Sequence, residues 1–178
     1  MRSESIALNY AEALFALGEK SGKTAEYAEL LDGLAGAVAA SPRVQAVLMS
    51  PKVTKAAKSA ILTGALAGAP REFQLFLQSV VKRGRQGLLG EIASQYMGLL
   101  DVKLNRVRAG VTVAREADPA LQAEITRALE ARLGKQVLAS FEVDPEILGG
   151  VVVRLGDRVL DGSVKRKLTR LRRQLLSR

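Results

Sequence analysis

Apolar residues in this chain keep a helical spacing as far as about Asn105 and then change to strict alternation. That switch constrains the fold more than any other feature. A 3.6-residue period lines one face of a helix and a two-residue period lines one face of a strand, and neither pattern serves the other. Before the switch, Ile6, Tyr10, Ala13, Leu14 and Leu17 share one helical face, closed by Gly18 and Gly22. Tyr27, Leu30, Leu31, Leu34 and Val38 mark a second helix, ending at Ser41-Pro42, and Val44, Val47 and Leu48 a short third, ending at Ser50-Pro51. A fourth runs from about Val53 through Ala57 and Ile61 to Leu66 and breaks at Gly68–Pro70. Phe73, Phe76, Leu77 and Val80 follow i, i+3, i+4, i+7 in a fifth, and a sixth carries Leu89, Ile92, Ala93, Tyr96, Leu99 and Leu100. The spacing predicts an all-α six-helix bundle over residues 1–105.

After the switch, Val107, Ala109, Val111 and Val113 alternate with more polar neighbours, as a half-buried strand does. Asp118-Pro119 reads as an N-cap followed by proline at the first helical position, and Gly134 as the C-cap of a helix lined by Leu121, Ile125, Ala128 and Leu129. Val137, Ala139, Phe141 and Val143 alternate again, and Gly156-Asp157 suits a two-residue hairpin turn between Val153–Leu155 and Arg158–Leu160. Asp161-Gly162-Ser163 opens a last helix whose apolar line is Val164, Leu168, Leu171 and Leu175, a line expected to dock onto the sheet. Residues 106–178 therefore read as a small α+β C-terminal module.

A length of 178 residues allows one ordinary domain or two small ones, and 48% apolar residues suffice for packed cores. The chain has no Cys, His or Trp. It thus lacks a disulfide framework, a thiol nucleophile, an imidazole base and a histidine metal ligand. Carboxylates, Lys, Tyr and Ser remain, and the inventory leans towards binding rather than catalysis. No signal-peptide pattern follows Met1, and no run approaches the ~20 apolar residues of a membrane span. A soluble protein of a reducing compartment, without a transit peptide, is expected. The formal charge is +9, yet Lys165–Arg178 alone holds seven basic residues and no acid, so the rest of the chain carries only about +2.

Three features are candidates for function. Gly84, Gly87 and Gly90, beside Lys82, Arg83 and Arg85, resemble a phosphate cradle, but no strand precedes them and no G-K-[ST] follows. A tight helix–helix turn explains them better. The basic C-terminal helix suits a solvated surface or an acidic partner helix; it has no aromatic residue on which bases of a nucleic acid would stack. The first helix is apolar at nine of the eleven positions from Ala7 to Leu17. Ile6, Tyr10, Ala13, Leu14 and Leu17 form one arc and Leu8, Ala11 and Phe15 a second, well round the cylinder. Either the helix is packed on both sides, or one arc meets the core and the other a partner helix laid in a groove. Leu75 and the small Ser79 on the fifth helix point away from its Phe73–Val80 line. A groove between the first and fifth helices is expected there, with Tyr10 at its rim and Lys82 at its edge.

Tyr10-Ala11-x-Ala13-Leu14-Phe15 resembles the opening helix of the delta subunit of the F-type ATP synthase, the oligomycin-sensitivity-conferring protein family. The Gly84-Arg85 turn before Leu88, Leu89 and Ile92 is similar to that family's link into its sixth helix, although Arg83 stands where the family often has Asn. The run from Leu148 to Val164 resembles the family's C-terminal signature. It contains Gly149, Gly150, Gly156, Asp157, Asp161 and Gly162. The resemblance covers essentially the whole chain. It implies a non-catalytic stator adaptor, with no catalytic, cofactor or metal site. It further implies that residues 1–105 bind the N-terminal helices of the alpha subunits, with Leu8, Tyr10, Ala11, Ala13, Leu14, Phe15, Leu75, Ser79 and Lys82 as candidate contacts. Residues 106–178 are implied to contact the b-type subunits of the peripheral stalk. On this reading the protein is a peripheral subunit at the cytoplasmic face of a bacterial inner membrane, held there only through the complex, with no nucleic-acid or small-molecule ligand. Two rivals are a nucleic-acid-binding module using the basic helix and a small carboxylate enzyme.

Overall fold

The computed structural model describes residues 2–176, leaving Met1, Ser177 and Arg178, the last a member of the basic run, outside the described residues. Two compact units divide the chain, Met1–Asp101 and Val102–Arg178. The first is helical: α1 (Arg2–Ser21), α2 (Thr24–Ala40), α3 (Pro42–Met49), α4 (Lys55–Ala65), α5 (Arg71–Lys82), a 3-10 turn (Gln86–Leu88) and α6 (Leu89–Lys103). The unit boundary falls four residues before the change of period at Asn105, because the last turn of α6 has left the helical core: Leu100 is buried and Val102 is 77% exposed.

One core joins these helices. Phe73, Phe76, Leu77 and Val80 of α5 are buried in it, as are Tyr27, Leu31 and Leu34 of α2 and Ile92, Ala93 and Tyr96 of α6. On α4 the buried positions are Lys58 and Leu62, whereas Ile61, expected to face inwards, is exposed. Tyr96 ties two helices together, its hydroxyl donating to the Thr24 carbonyl at 3.0 Å. Burial, reinforced by Tyr27 and Glu19 nearby, pushes its pKa up to about 12. The α3 and α4 N-termini are capped by Ser41 and Thr54, whose hydroxyls accept from the N–H groups of Val44 and Ala57. Gly84 closes α5 in a left-handed conformation (φ 69°), and the N–H of Arg85 reaches back to the Val80 carbonyl. This is the helix–helix turn expected for the glycine run.

The second unit holds β1 (Arg106–Val113), α7 (Pro119–Leu133), β2 (Gln136–Val143), a 3-10 turn (Pro145–Ile147), β3 (Val151–Leu155), β4 (Arg158–Asp161) and α8 (Val164–Leu176). The sheet order is β2-β1-β3-β4, with β1 and β2 parallel and the other pairs antiparallel. Val111 lies opposite Phe141 on one side and Val153 on the other. That register gathers Ala109, Val111, Val113, Val137 and Val153 on one face, and α7 covers them with Ile125, Leu129 and Leu133. Leu121, expected on that helix face, is exposed. Asp118 caps α7 through the N–H of Leu121 at 2.7 Å, and Gly134 ends it at φ 64°. α8 starts on a cap as well, Ser163 Oγ accepting from the N–H of Arg166. Asp161 braces that turn. Its Oδ1 accepts the Ser163 N–H at 2.9 Å, which holds its carboxyl below the usual carboxylate range.

Two glycines of the C-terminal run differ in what they require. Gly150 has φ 78°, and a Cβ there would stand 2.5 Å from the Gly162 carbonyl oxygen. Gly156 has φ 56° with open space around it. Gly150→Ala is therefore expected to destabilise this unit by about 2 kcal/mol or more, combining left-handed strain with a backbone displacement, and Gly156→Ala by only about 1 kcal/mol. Urea titration of both variants checks the order; an equal or larger loss at Gly156 contradicts it.

Candidate functional site

The buried stripe of α1 is Ala7, Ala11, Leu14 and Gly18, residues three and four apart. Its small side chains bring the helix close to its neighbours: a Cβ on Gly18 would lie 3.1 Å from the Tyr96 hydroxyl and 3.2 Å from the Thr24 Cα. Beside that stripe lies a second one, Asn9, Tyr10, Ala13 and Leu17. On α5, Glu72, Leu75, Phe76 and Ser79, with Arg83 at the C-cap, lie in the same way beside the buried Phe73, Leu77 and Val80. The two flanking stripes enclose an open groove of about 490 Å³.

Its lining is mainly apolar. Phe76 forms the floor, buried and in edge-to-face contact with the Tyr10 ring at 6.2 Å between centroids. Leu75 and Leu17 form the walls, 53% and 40% exposed. Ala13 and Ser79 are small, and the Ser79 hydroxyl is occupied locally, donating to the Phe76 carbonyl at 2.7 Å. The Arg85 guanidinium stands 6.0 Å from the centre of the Tyr10 ring. Such a surface receives the apolar side chains of a helix spaced i, i+3, i+4, i+7, with Glu72 and Arg83 available to charges at its margins.

Of the residues expected to meet a partner, Tyr10, Ala13, Leu75 and Ser79 are brought together here. The other five are elsewhere. Ala11 and Leu14 are fully buried in the core and present nothing to a partner. Phe15 turns to the other flank of α1, edge-on to Tyr96 at 5.5 Å, and Leu8 is half-buried on that same flank. Neither arc of α1 coincides with its buried stripe, because the core takes the strip between them. Lys82 is exposed outside the groove, with its carbonyl accepting from Lys55 Nζ at 2.8 Å; one residue later, Arg83 takes the place expected of it. Tyr10 also departs from its expected role. Its hydroxyl is buried without a hydrogen-bond partner instead of standing at a wet rim. Asn9, Leu17, Glu72, Phe76 and Arg83 were not anticipated as lining. The spacing 72, 75, 76, 79, 83 is a visible signal, one continuous helical stripe centred about 100° from the line of Phe73, Leu77 and Val80.

The residues of the C-terminal run serve the backbone. Gly150 and Gly162 pass each other closely, and the Gly162 N–H donates to the Val151 carbonyl at 3.0 Å. Gly156 and Asp157 form the β3–β4 turn, and Gly149 supplies the carbonyl that receives the Val164 N–H. No described helix is long and apolar enough to cross a membrane, and the described residues hold no cluster of three or more acidic side chains suited to a metal ion.

Known proteins share the sequence and the fold of this chain over nearly its whole length. Residues 6–175 match the family described as ATP synthase delta (OSCP) subunit. A protein of Gemmatimonas aurantiaca named ATP synthase subunit delta is 43% identical over 98% of this chain and 95% of its own length. One of the same name from Desulfotalea psychrophila is 32% identical over 100% and 99%. Among solved structures, a chain in the cryo-EM structure of the Toxoplasma gondii mitochondrial ATP synthase hexamer superimposes with a TM-score of 0.72. It is 25% identical and covers 96% of this chain and 97% of its own.

The buried Tyr10 hydroxyl yields a test of the groove as described. A buried polar group without a partner costs about 1–3 kcal/mol. Tyr10→Phe is expected to raise the unfolding free energy by about 1 kcal/mol, read from the urea midpoint at unchanged slope. A destabilised variant shows that the hydroxyl makes a bond the geometry does not contain.

Proposed function

The chain belongs to the ATP synthase delta (OSCP) subunit family, and from that premise we propose how its two units do the work of a stator adaptor. Such an adaptor links the catalytic head of the F-type ATP synthase to the membrane-anchored peripheral stalk, so that the head does not turn with the rotor. The role needs two separate binding surfaces and no reacting groups, and a chain without Cys or His is suited to it. We assign it no catalytic step.

The helical unit, read as a six-helix bundle, receives an amphipathic helix from the N-terminus of an alpha subunit in the groove between α1 and α5. The observation that carries this reading is the groove itself: a surface lined by Tyr10, Ala13, Leu17, Leu75 and Phe76, left apolar although the core beside it is already complete. Soluble folds seldom leave such a surface in water without a use for it. The α+β unit meets the b-type subunits of the stalk. The complex holds the protein at the cytoplasmic face of the membrane. The rival nucleic-acid reading asks for stacking aromatics near the cationic helix, and α8 contains none.

Leu75 is the most exposed apolar wall, so its loss should be felt by the partner and not by the fold. A buried leucine is worth about 1.5–3 kcal/mol, or about ten- to a hundredfold in affinity. Leu75→Asp is expected to weaken binding of an alpha-subunit N-terminal peptide by at least that factor while circular dichroism stays that of the parent. Calorimetric titration of both forms checks it, and binding by the parent should change little between low and high salt. Equal binding by the two forms places the peptide elsewhere.

A further inference from the structure

α8 is amphipathic, and the structure leaves its apolar side uncovered. Val164, Leu168, Leu171 and Leu175 are 38%, 53%, 55% and 76% exposed, and none joins the cluster between α7 and the sheet. The expected docking of this line onto the sheet does not occur, because α7 already occupies the apolar face of the sheet. The helix is anchored in its first turn. The Val164 N–H donates to the Gly149 carbonyl, Lys165 pairs with Glu146 at 3.2 Å and Arg166 with Asp161 at 3.8 Å.

The spacing of the line identifies what fits it. Steps of four, three and four residues from Val164 to Leu175 are those of the a and d positions of a heptad repeat. The seam is narrow, which suits another helix and not a lipid surface, where a broad apolar face is needed. With Leu168 and Leu175 at a and Val164 and Leu171 at d, the flanking e and g positions are Lys165, Lys167, Arg172 and Gln174. Three of the four are cationic, and α8 carries no acidic residue. Among the described residues, Lys167, Arg170, Arg172 and Arg173 have no ion-pair partner. Side chains at e and g decide partner choice through charge, so a second α8 would be repelled and a helix with Glu or Asp at those positions attracted. A nucleic acid would satisfy the cations and leave the leucines in water.

We infer that α8 is one strand of a coiled-coil contact, and that its partner is an acidic helix with heptad-spaced apolar residues, supplied by another subunit. The inference rests on the proposed stalk contact for the origin of that helix, and on α8 alone for its chemistry. α8 spans about 20 Å at 1.5 Å per residue, close to two heptads, so the contact is short and its charge pattern weighs heavily in specificity.

The test uses the full chain with three probes: a helical peptide with leucine at a and d and glutamate at e and g, its counterpart with lysine at e and g, and the soluble segment of a b-type stalk subunit. Two exposed-site variants accompany the parent, Leu171→Ser and the double variant Lys167→Glu/Arg172→Glu. The parent is expected to bind the acidic peptide at least about tenfold more tightly than the basic one, with a steep loss at high salt. Leu171→Ser should lower that affinity about tenfold or more, and the double variant should reverse the preference. The stalk segment should lose affinity with the same two variants. Equal binding of acidic and basic peptides, or of the acidic peptide to parent and variants, overturns the coiled-coil inference. A stalk segment that binds parent and variants alike, while the acidic peptide discriminates between them, removes the stalk as the source and leaves the seam standing.

Discussion

α1 approaches its neighbours through a stripe of mostly small residues, and much of the helical unit follows from that approach. Ala7, Ala11 and Gly18 alternate with a single large side chain, Leu14, along the buried line. At Gly18 the distance leaves no room for a Cβ without displacing the Tyr96 hydroxyl or the Thr24 backbone, and these two are themselves hydrogen-bonded. Close approach makes the buried strip narrow. The remaining apolar surface of α1, Tyr10, Ala13 and Leu17, is then left beside the core instead of inside it, facing the matching stripe of α5. The groove is therefore what remains of a helix with more apolar surface than its core contact consumes.

Where hydrophobic period and burial coincide, the sequence alone was sufficient. Phe73, Phe76, Leu77 and Val80 read as one face and are one face, and the alternation at Val107–Val113 gives the inward side of β1. The caps at Asp118 and Gly134 were equally plain, since each satisfies a specific backbone need. α1 could not be read so far. With apolar residues nearly all round, its period does not say which strip the core selects, and the choice fell between the two arcs that spacing proposed. Lys82 and Arg83 show the same limit at finer scale, because one residue is 100° on a helix. Lys58 and Leu62 on α4 displaced Ile61 from the core for a related reason: a lysine at the buried position hides the period. α8 failed in the opposite sense. Its line was correct and its destination was not, because sequence cannot tell which of two helices, α7 or α8, covers the sheet.

The two surfaces on which the proposed adaptor role depends differ in physical character. The groove of the helical unit is apolar, with one acid and one base at its margins. The outer side of α8 is a leucine seam between cations. On the proposed reading, an apolar partner helix and an acidic one would be sorted by chemistry as well as by shape, and neither would gain by taking the other's place. A stator benefits from this arrangement: its two contacts must hold at once, and confusion between them would leave the head untethered.

The most direct measurement is site-specific crosslinking in the assembled enzyme. A photoreactive residue at position 13, on the exposed small wall of the groove, and another at position 171, on the seam of α8, are introduced separately into the full chain, and the crosslinked subunit is identified by mass spectrometry. Position 13 is predicted to capture an alpha subunit through its N-terminal segment, and position 171 a stalk subunit through an acidic helical segment. Capture of the same subunit from both positions, or of a stalk subunit from position 13, contradicts the account.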